Sequence, residues 1–254
     1  KVGFTGGINL ADEYVNRVER FGYWKDCGIR IEGEGVWSFT LMFLEMWNYI
    51  KQSTEDYNRF KPGVYQTQEF SQDGYVQPYC DSPLDGEAVA ESAYLNVLQH
   101  ARDYVYIVTP YLIVDNEMVT ALCLAAKSGV DVRILTPGVP DKWYVYYVTQ
   151  SYYPRLLEAG VRIYEYTPGF VHAKMYVSDD REAIVGSANM DYRSLYLHFE
   201  NCCAFYGGHM VRDVLEDVRA TLAESHEVTM ADVLRTPLYK WLAQVFLRFF
   251  SPLM

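Results

Sequence analysis

From Tyr75 onward the chain alternates short, apolar, β-branched runs with longer amphipathic stretches. Short apolar runs between turn-forming residues predict strands, and apolar positions spaced three and four apart predict helices. Strands are predicted at 105–109, 130–136, 161–166, 172–177, 183–185 and 201–206, and helices at 117–127, 142–158 and 210–226. Strands that alternate with helices indicate parallel strands covered on both faces, so the predicted fold class is α/β.

The first 74 residues have a different pattern. A strand leads into a Gly-Gly turn, a helix-like stretch starts at Asn9, and a second strand spans Ile29 to Ile31. An apolar helix follows around Trp37 to Ile50. The stretch from Lys51 to Gly74 is polar and predicts a linker or surface loop between two units.

A weak internal repeat connects these two units. The segment FTGGINLADEY parallels IVGSANMDYRS, and DCGIRIEG parallels ENCCAFYG, which aligns Asp26 with Glu200. The parallel predicts a duplicated fold whose first copy is incomplete at its front. The expected division is a trailing first half at 1–60, a linker at 61–74, a second half at 75–228, and an amphipathic C-terminal helix at 229–254.

Composition and charge limit the functions that fit. The 254 residues are 50% apolar and 22% charged, as in an ordinary globular protein. A net charge of -11 argues against a strong unspecific grip on nucleic acid, which is therefore not an expected partner. The five cysteines form no CxxC pair and no Cys/His cluster, so they are interpreted as reduced structural thiols rather than metal ligands.

The stretch from Leu234 to Met254 is the most amphipathic part of the chain. Lys240, Gln244 and Arg248 recur every four residues and form a thin polar stripe. A wide apolar face surrounds the stripe and is formed by Leu238, Trp241, Leu242, Val245, Phe246 and Phe249. Such a helix either lies flat in a bilayer interface or docks on the protein's own core, and the periodicity favours neither.

The segment VHAKMYVSDDREAIVGSAN contains the candidate chemistry. Side chains two residues apart on a strand share a face, so His172 and Lys174 are expected to point into the same space. An imidazole beside an ammonium, with the amide of Asn189 and the hydroxyl of Ser187 nearby, suits a phosphate. A lone HxK is usually chance and GSxN alone is usually a turn, but the two together at this spacing are rare.

This arrangement, HxKxxxxD followed by GSxN, resembles the phospholipase D superfamily. The flanking stretches GGINLADEY, TPYLIVDNE, AAKSGVDVRILTP and GSANMDYRSL look like the later two-thirds of bacterial cardiolipin synthases. The resemblance implies a phospholipase D-like α/β/α sandwich with a mixed sheet. It also implies a phospholipid substrate, association with the cytoplasmic membrane of a bacterium, and neither a metal nor another cofactor.

The resemblance assigns a role to each candidate catalytic residue. The expected roles are His172 as the nucleophile that forms a phosphohistidine, Lys174 as the charge that neutralises the phosphoryl oxygens, Asn189 and Ser187 as further donors, Glu200 as the carboxylate that holds the imidazole, and Asp179 as a tie between backbone segments. Gly6 and Asn9, which trail a first motif, and Tyr111, which follows a strand end, are candidate substrate-binding residues. His100, His198, His209 and His226 are expected to be surface or core histidines.

The chain departs from the family in one respect. Members bring two such motifs together, one histidine as nucleophile and the other as general acid and base, and here the His and Lys of the first motif would fall before Lys1. A general acid is typically worth about 10² to 10⁴ in rate. We therefore expect this polypeptide to turn over poorly on its own, unless two copies face each other as a homodimer.

The expected function is phosphatidyl transfer from one phosphatidylglycerol to the hydroxyl of a second, with release of glycerol. Two alternatives stay open at this point. Water in place of the second lipid would make the protein a phospholipase D-type phosphodiesterase. A noncatalytic membrane-binding module of the same fold is the other, and it predicts that no phosphate ever appears on His172.

Overall fold

A computed structural model describes residues 1–61, 63, 73–84 and 86–254 and is built around an eight-stranded mixed sheet. Twelve strands are described: β1 (Val2–Gly6), β2 (Gly28–Glu32), β3 (Tyr75–Asp81), β4 (Tyr104–Val108), β5 (Leu112–Ile113), β6 (Asp131–Pro137), β7 (Arg162–Tyr166), β8 (Met175–Ser178), β9 (Glu182–Gly186), β10 (Met190–Asp191), β11 (Glu200–Tyr206) and β12 (Ser225–Val228). The large sheet has the order β12-β7-β6-β4-β8-β9-β11-β3. Its β4, β6 and β7 are parallel, and every other neighbouring pair is antiparallel.

Eight α-helices are described: α1 (Val36–Lys51), α2 (Val89–His100), α3 (Asn116–Lys127), α4 (Trp143–Ala159), α5 (Tyr192–Tyr196), α6 (Gly208–Ala223), α7 (Met230–Leu234) and α8 (Leu238–Arg248). Local sequence sets several of their ends. The Asp115 side chain caps α3 by accepting from the backbone N–H of Met118 at 2.8 Å. Gly160, with φ of 97°, ends α4 in the left-handed conformation that glycine adopts without strain.

Successive residues of the central strands point to opposite faces of the sheet and contribute to two separate hydrophobic cores. On β4, Val105 and Ile107 belong to the core beneath α2, α3 and α4, while Tyr104 and Tyr106 belong to the core beneath α6. Cys202 and Cys203 likewise point into opposite cores, and both are free thiols, as predicted. Helices therefore cover both faces of a mixed sheet, and the predicted α/β/α sandwich is confirmed.

The residues before α1 form a separate layer against the end of the large sheet. Strands β1 and β2 pair antiparallel with each other, with Gly6 opposite Gly28. Isolated bridges join Gly22 to Gly169 and Lys25 to Val171, so the loop before β2 lies directly on the loop before β8. This contact brings Asp26 beside His172.

Most of the predicted elements occur within one to three residues of their expected bounds, but four predictions need correction. The stretch after Asn9 is a short 3-10 helix, Asp12–Val15, rather than an α-helix. The last predicted helix ends at Ala223, and His226 lies on the edge strand β12, which the sequence reading missed. Strands β3, β5 and β10 and helices α2 and α5 were also missed. The C-terminal helix is divided, because α7 ends before Pro237 and α8 begins after it.

Two further observations concern the chain as a whole. Most of the predicted linker at 61–74 falls outside the described residues, and the division into a trailing first half, a linker and a second half stays a prediction. Among the helices that the structure describes, none combines the length and the apolar character needed to cross a bilayer.

Candidate active site

His172 and Lys174 lie in an extended segment directly before β8, which begins at Met175 rather than at His172 as predicted. The backbone N–H of His172 donates to the carbonyl of Lys25 at 2.7 Å, which fixes the segment against the N-terminal layer. The alternation predicted for a strand nevertheless holds here. Both side chains are buried, with 9% of His172 and 3% of Lys174 exposed, and both face the same space.

The ammonium of Lys174 packs directly against the imidazole of His172. Its Nζ lies 2.8 Å from Nδ1 and 3.0 Å from Nε2, and it donates to the His172 carbonyl oxygen at 2.6 Å. The two groups thus form one compact cluster of nitrogen atoms just before the start of β8. A cluster that combines a fixed cation with a nucleophilic ring nitrogen is suited to an anionic electrophile such as a phosphodiester.

Asp26 provides the carboxylate of this cluster. Its Oδ2 lies 3.0 Å from His172 Nδ1, and it also accepts a hydrogen bond from the indole N–H of Trp24 at 3.2 Å. Its other oxygen, Oδ1, accepts from the backbone N–H of Cys27. These contacts hold the carboxylate rigidly and favour the tautomer in which Nδ1 carries the hydrogen, which leaves the Nε2 lone pair for chemistry.

Glu200 was predicted to hold the imidazole of His172, but Asp26 makes this contact in the structure. The structure places the Glu200 carboxylate on Ser187 instead, whose hydroxyl donates to it at 2.5 Å. The same oxygen accepts a hydrogen bond from the backbone N–H of Asn201 at 2.9 Å. The single O–H of Ser187 is therefore already donated within the protein. Neither residue contacts the imidazole of His172 by a hydrogen bond.

The internal repeat explains why Asp26, rather than Glu200, contacts His172. Gly6 is opposite Gly28 where β1 meets β2, and Gly186 is opposite Cys202 where β9 meets β11. Asp26 and Glu200 each lie two residues before that pairing point, so they occupy equivalent positions in the two layers. The Asp26 carboxylate thus reaches the histidine of the other layer, and the parallel between DCGIRIEG and ENCCAFYG was the available signal for it.

Three aromatic rings surround the imidazole, and the sequence reading missed all of them as site residues. Tyr14 meets it edge-on with ring centroids 5.2 Å apart, Trp24 lies tilted at 5.4 Å, and Phe170 stacks at 5.9 Å. They exclude water from one side of His172 and restrict its ring to one orientation. Their numbering, scattered between 14 and 170, offers no motif by which they could have been found.

Burial and charge shift the proton affinities of the cluster. Burial lowers the pKa of His172, and the hydrogen bond that its Nδ1–H donates to Asp26 opposes this shift without cancelling it. Burial likewise lowers the pKa of Lys174 to about 8, although the charge of Asp26 partly sustains its ammonium form. At neutral pH the imidazole is therefore largely unprotonated and the lysine largely protonated, the combination that a nucleophile beside a fixed cation requires.

Glycines allow the backbone to approach the cluster closely. A Cβ on Gly7 would lie 2.2 Å from Asp26 Oδ1, 2.8 Å from the His172 carbonyl oxygen and 3.0 Å from Lys174 Nζ. A Cβ on Gly6, a predicted substrate-binding residue, would lie 2.3 Å from the carbonyl oxygen of Cys27. Gly6 thus closes the β1–β2 pairing, and Gly7 forms a wall of the site.

The remaining candidates lie at different distances from the cluster. Asn189 donates its amide hydrogen to Asp191 at 3.0 Å, and its buried amide oxygen has no protein partner. Asn9 donates to the Tyr14 hydroxyl at 2.9 Å and so supports a ring that touches His172. Tyr111 donates to Asp141 at 2.7 Å and is separated from the imidazole by the ring of Phe170.

Asp179 lies away from the cluster, in the turn between β8 and β9. Its carboxylate accepts backbone N–H groups from three consecutive residues, Arg102, Asp103 and Tyr104, at 2.7 to 3.0 Å. Tyr104 opens the neighbouring strand β4, so Asp179 fastens the β8–β9 hairpin to it. This geometry agrees with the expected backbone tie.

Comparison with known proteins identifies the family. A family model described as "Cardiolipin synthase, PLD-like domain" matches residues 94–221, half of the chain, including the His172–Lys174 segment. The chain belongs to this phospholipase D-like family. The structure is similar to the crystal structure of phosphatidylserine synthase from Haemophilus influenzae, with a TM-score of 0.72, 16% identity, and coverage of 99% of this chain and 66% of that one.

Curated relatives extend the similarity over the whole length of the chain. Cardiolipin synthase 2 of Bacillus cereus is 36% identical over 254 residues, covering 99% of this chain and 49% of that protein. A protein of Streptococcus mutans is 51% identical over 257 residues and covers 100% of this chain and 54% of that one. The chain spans about half the length of these curated relatives, and its similarity to the phospholipase D-like cardiolipin synthase family includes both the β1–β2 layer and the large sheet.

Proposed function

We propose that the protein carries a phosphatidyl-transfer site of the cardiolipin synthase type, which acts through a phosphohistidine at His172. The observation that carries the proposal is the contact of one imidazole with both a carboxylate and a buried ammonium, with Nδ1 3.0 Å from Asp26 Oδ2. Family membership and the 36% identity to a cardiolipin synthase support phosphatidylglycerol as the substrate.

In the first step, Nε2 of His172 attacks the phosphorus of phosphatidylglycerol. The new N–P bond forms as the bond from phosphorus to the glycerol headgroup oxygen breaks, and the departing oxygen takes a proton to become free glycerol. Asp26 stabilises the positive charge that develops on the imidazole. Lys174 neutralises the phosphoryl oxygens, which must draw its ammonium away from its resting place against the ring.

In the second step, the hydroxyl of another phosphatidylglycerol attacks the phosphorus. The N–P bond breaks, cardiolipin leaves, and the proton of the attacking hydroxyl passes to a base. Asn189 lies one residue before β10, and the amide hydrogen that it does not donate to Asp191 is the one expected to donate to a phosphoryl oxygen. Ser187 and Glu200 hold each other and shape the floor of the site rather than donating to phosphate.

The glycerol that leaves needs a proton donor, and the sequence contains a single His-x-Lys pair. In our proposal a second copy of the chain supplies the second imidazole, so that one His172 attacks while the other protonates the leaving group. Sedimentation equilibrium tests this directly. A dimer that accompanies transfer is expected, and efficient transfer by a strictly monomeric protein would contradict it.

We propose that the transfer takes place at the surface of a bacterial membrane. A product assay with labelled phosphatidylglycerol in bilayer vesicles tests it. Cardiolipin together with free glycerol is the expected product, and a matched His172→Ala protein is expected to form none. Phosphatidic acid as the sole product would show hydrolysis instead, with water as the acceptor. Lipid binding without any product or adduct would favour a noncatalytic membrane-binding module.

A further inference from the structure

Helix α8 is docked on the protein by its polar stripe, contrary to the usual arrangement of a surface helix. The Lys240 ammonium lies 5.1 Å from the ring centroid of Tyr147 on α4. The Arg248 guanidinium lies 4.2 Å from the Tyr152 ring on the same helix, and it donates to the carbonyl oxygen of Ser151 at 3.0 Å. Both cations of the stripe are therefore turned toward α4.

Gln244, the third residue of the stripe, is also turned inward and is buried. The amphipathic pattern predicted either a helix that lies flat in a bilayer interface or one that docks on the protein's own core. The helix does dock on the protein, through the polar stripe and Leu247, which packs against the core beneath α4. This leaves the rest of its apolar side without a protein partner among the described residues.

The side of α8 that faces solvent is apolar. Between positions 237 and 254 every exposed residue is apolar, aromatic or proline, whereas Lys240 and Arg248 are half-buried and Gln244 and Ser251 are buried. We call the outer face of α8 the set Leu238, Trp241, Leu242, Val245, Phe246 and Phe249. Exposure reaches 63% for Phe246, 70% for Leu238 and 82% for Phe249.

The outer face continues onto the start of α4. Trp143 is 62% exposed, and its ring meets the Tyr147 ring edge-on with centroids 5.5 Å apart, next to Lys240. The two helices together thus present indole rings beside aliphatic and phenyl groups. A contiguous apolar surface of this kind marks an interaction site.

We propose that the outer face of α8 inserts into the headgroup and acyl boundary of a phospholipid bilayer. The inference rests on the proposed function, because a protein that acts on a membrane lipid has to approach the bilayer. A protein partner would normally meet a polar rim, and the two cations of 237–254, Lys240 and Arg248, are half-buried against α4 instead of surrounding the outer face. Tryptophan and tyrosine favour the headgroup level, and leucine, valine and phenylalanine favour the acyl region.

The orientation of the cations gives the binding a specific signature. Lys240 and Arg248 are engaged with aromatic rings of α4 and are not free to pair with lipid phosphates. The whole chain also carries a net charge of -11, which opposes attraction to an anionic surface. Binding through the outer face is therefore apolar in origin and is expected to depend little on salt, in contrast to binding by a basic patch.

Vesicle flotation with the full chain tests the inference, using bilayers of phosphatidylethanolamine and phosphatidylglycerol at low and at high salt. The double variant Trp241→Glu with Phe246→Glu is expected to lose about tenfold or more of its vesicle affinity, because two exposed aromatic side chains that would enter the bilayer become charges. The matched control is Phe43→Glu with Trp47→Glu, a stacked and exposed aromatic pair on α1. This control is expected to bind as the unmodified protein does.

Retained binding by the α8 variant, or an equal loss in the α1 control, would overturn the proposal. So would light scattering that shows the α8 variant dissociating a dimer, because a second copy would then cover the face. Circular dichroism confirms that both variants are folded. His172→Ala is expected to bind vesicles normally, so failure of the chemistry and failure of the docking surface give different results.

Discussion

Nδ1 of His172 lies 3.0 Å from Oδ2 of Asp26, a residue 146 positions earlier in the chain. The two residues belong to different layers, and neither layer forms the pair without the other. Two isolated bridges, Gly22 to Gly169 and Lys25 to Val171, hold the loop before β2 against the segment before β8 and so keep the two side chains together. The central cluster is therefore a property of the contact between the layers.

Replacement of Asp26 by Asn tests the role of this carboxylate. The side chain keeps its volume but loses the charge that stabilises the developing imidazolium, and its amide favours the opposite tautomer. We expect the rate of adduct formation at His172 to fall by about 10² or more. Asp213→Asn, an exposed carboxylate on α6, is the control and should keep the unmodified rate.

The pH dependence of adduct formation tests Lys174. Its pKa is lowered by burial to about 8, so the site loses its fixed positive charge as pH rises through that value. A decline in rate on the alkaline side near pH 8 is expected. Lys174→Arg retains the charge and should show no such decline up to about pH 10, although its rate will be lower because the guanidinium is larger. An unchanged alkaline limb in the arginine protein would mean that another group titrates there.

The same lysine is expected to cost stability. Because folding lowers the pKa of Lys174 from 10.5 to about 8, the unfolded chain binds more protons than the folded protein between those two pH values. The contribution of Lys174 to the free energy of unfolding therefore rises with pH across this range. Lys174→Met is therefore expected to be more stable than the unmodified protein at pH 7, by up to about 3 kcal/mol.

Urea unfolding at several pH values measures the difference in free energy of unfolding between Lys174→Met and the unmodified protein. This difference should shrink toward zero as the pH approaches about 10.5. Lys127→Met, at an exposed position, is the control and should show a small difference that does not vary with pH. A Lys174→Met protein that is less stable at neutral pH would show that the buried ammonium is a net stabilising group.

Gly7→Ala tests how closely the backbone must approach the cluster. The added methyl group would lie 2.2 Å from Asp26 Oδ1, so either the carboxylate or the β1–β2 layer has to move. We expect a loss of about 10² in the rate of adduct formation, as for other displacements near 1 Å at a reacting centre. Gly28→Ala is the matched control, because the nearest atom to its Cβ, the carbonyl oxygen of Thr5, is 3.8 Å away. Equal rates in the two proteins would show that the site tolerates displacement.

The sequence predicted those features that are encoded locally. The order of the longer elements between β4 and β11 follows from apolar periodicity, and the meeting of His172 and Lys174 follows from their spacing. The short elements β5, β10 and α5, of two to five residues, were not predicted. Helix α2 and strand β3 were missed because their apolar positions are interrupted by polar ones, and β3 pairs only at the edge of the sheet, with β11. Pro237 divided the C-terminal helix as its missing N–H requires.

Features that depend on contact between distant segments could not be predicted in the same way. Asp26, rather than the predicted Glu200, contacts His172 because two similar layers pack together, and only the weak repeat indicated this. The inward orientation of Lys240 and Arg248 depends on the tyrosines of α4, about 90 to 100 positions earlier. Helical periodicity shows that a stripe exists but not which side of the helix the protein covers.

Mass spectrometry of the protein after exposure to phosphatidylglycerol tests the central claim most directly. The sample is kept at alkaline pH because the N–P bond of a phosphohistidine is labile in acid. The account predicts a phosphatidyl adduct on the peptide that contains His172, its absence in His172→Ala, and its persistence in His198→Ala. An adduct on another residue, or transfer that continues without His172, would contradict the account.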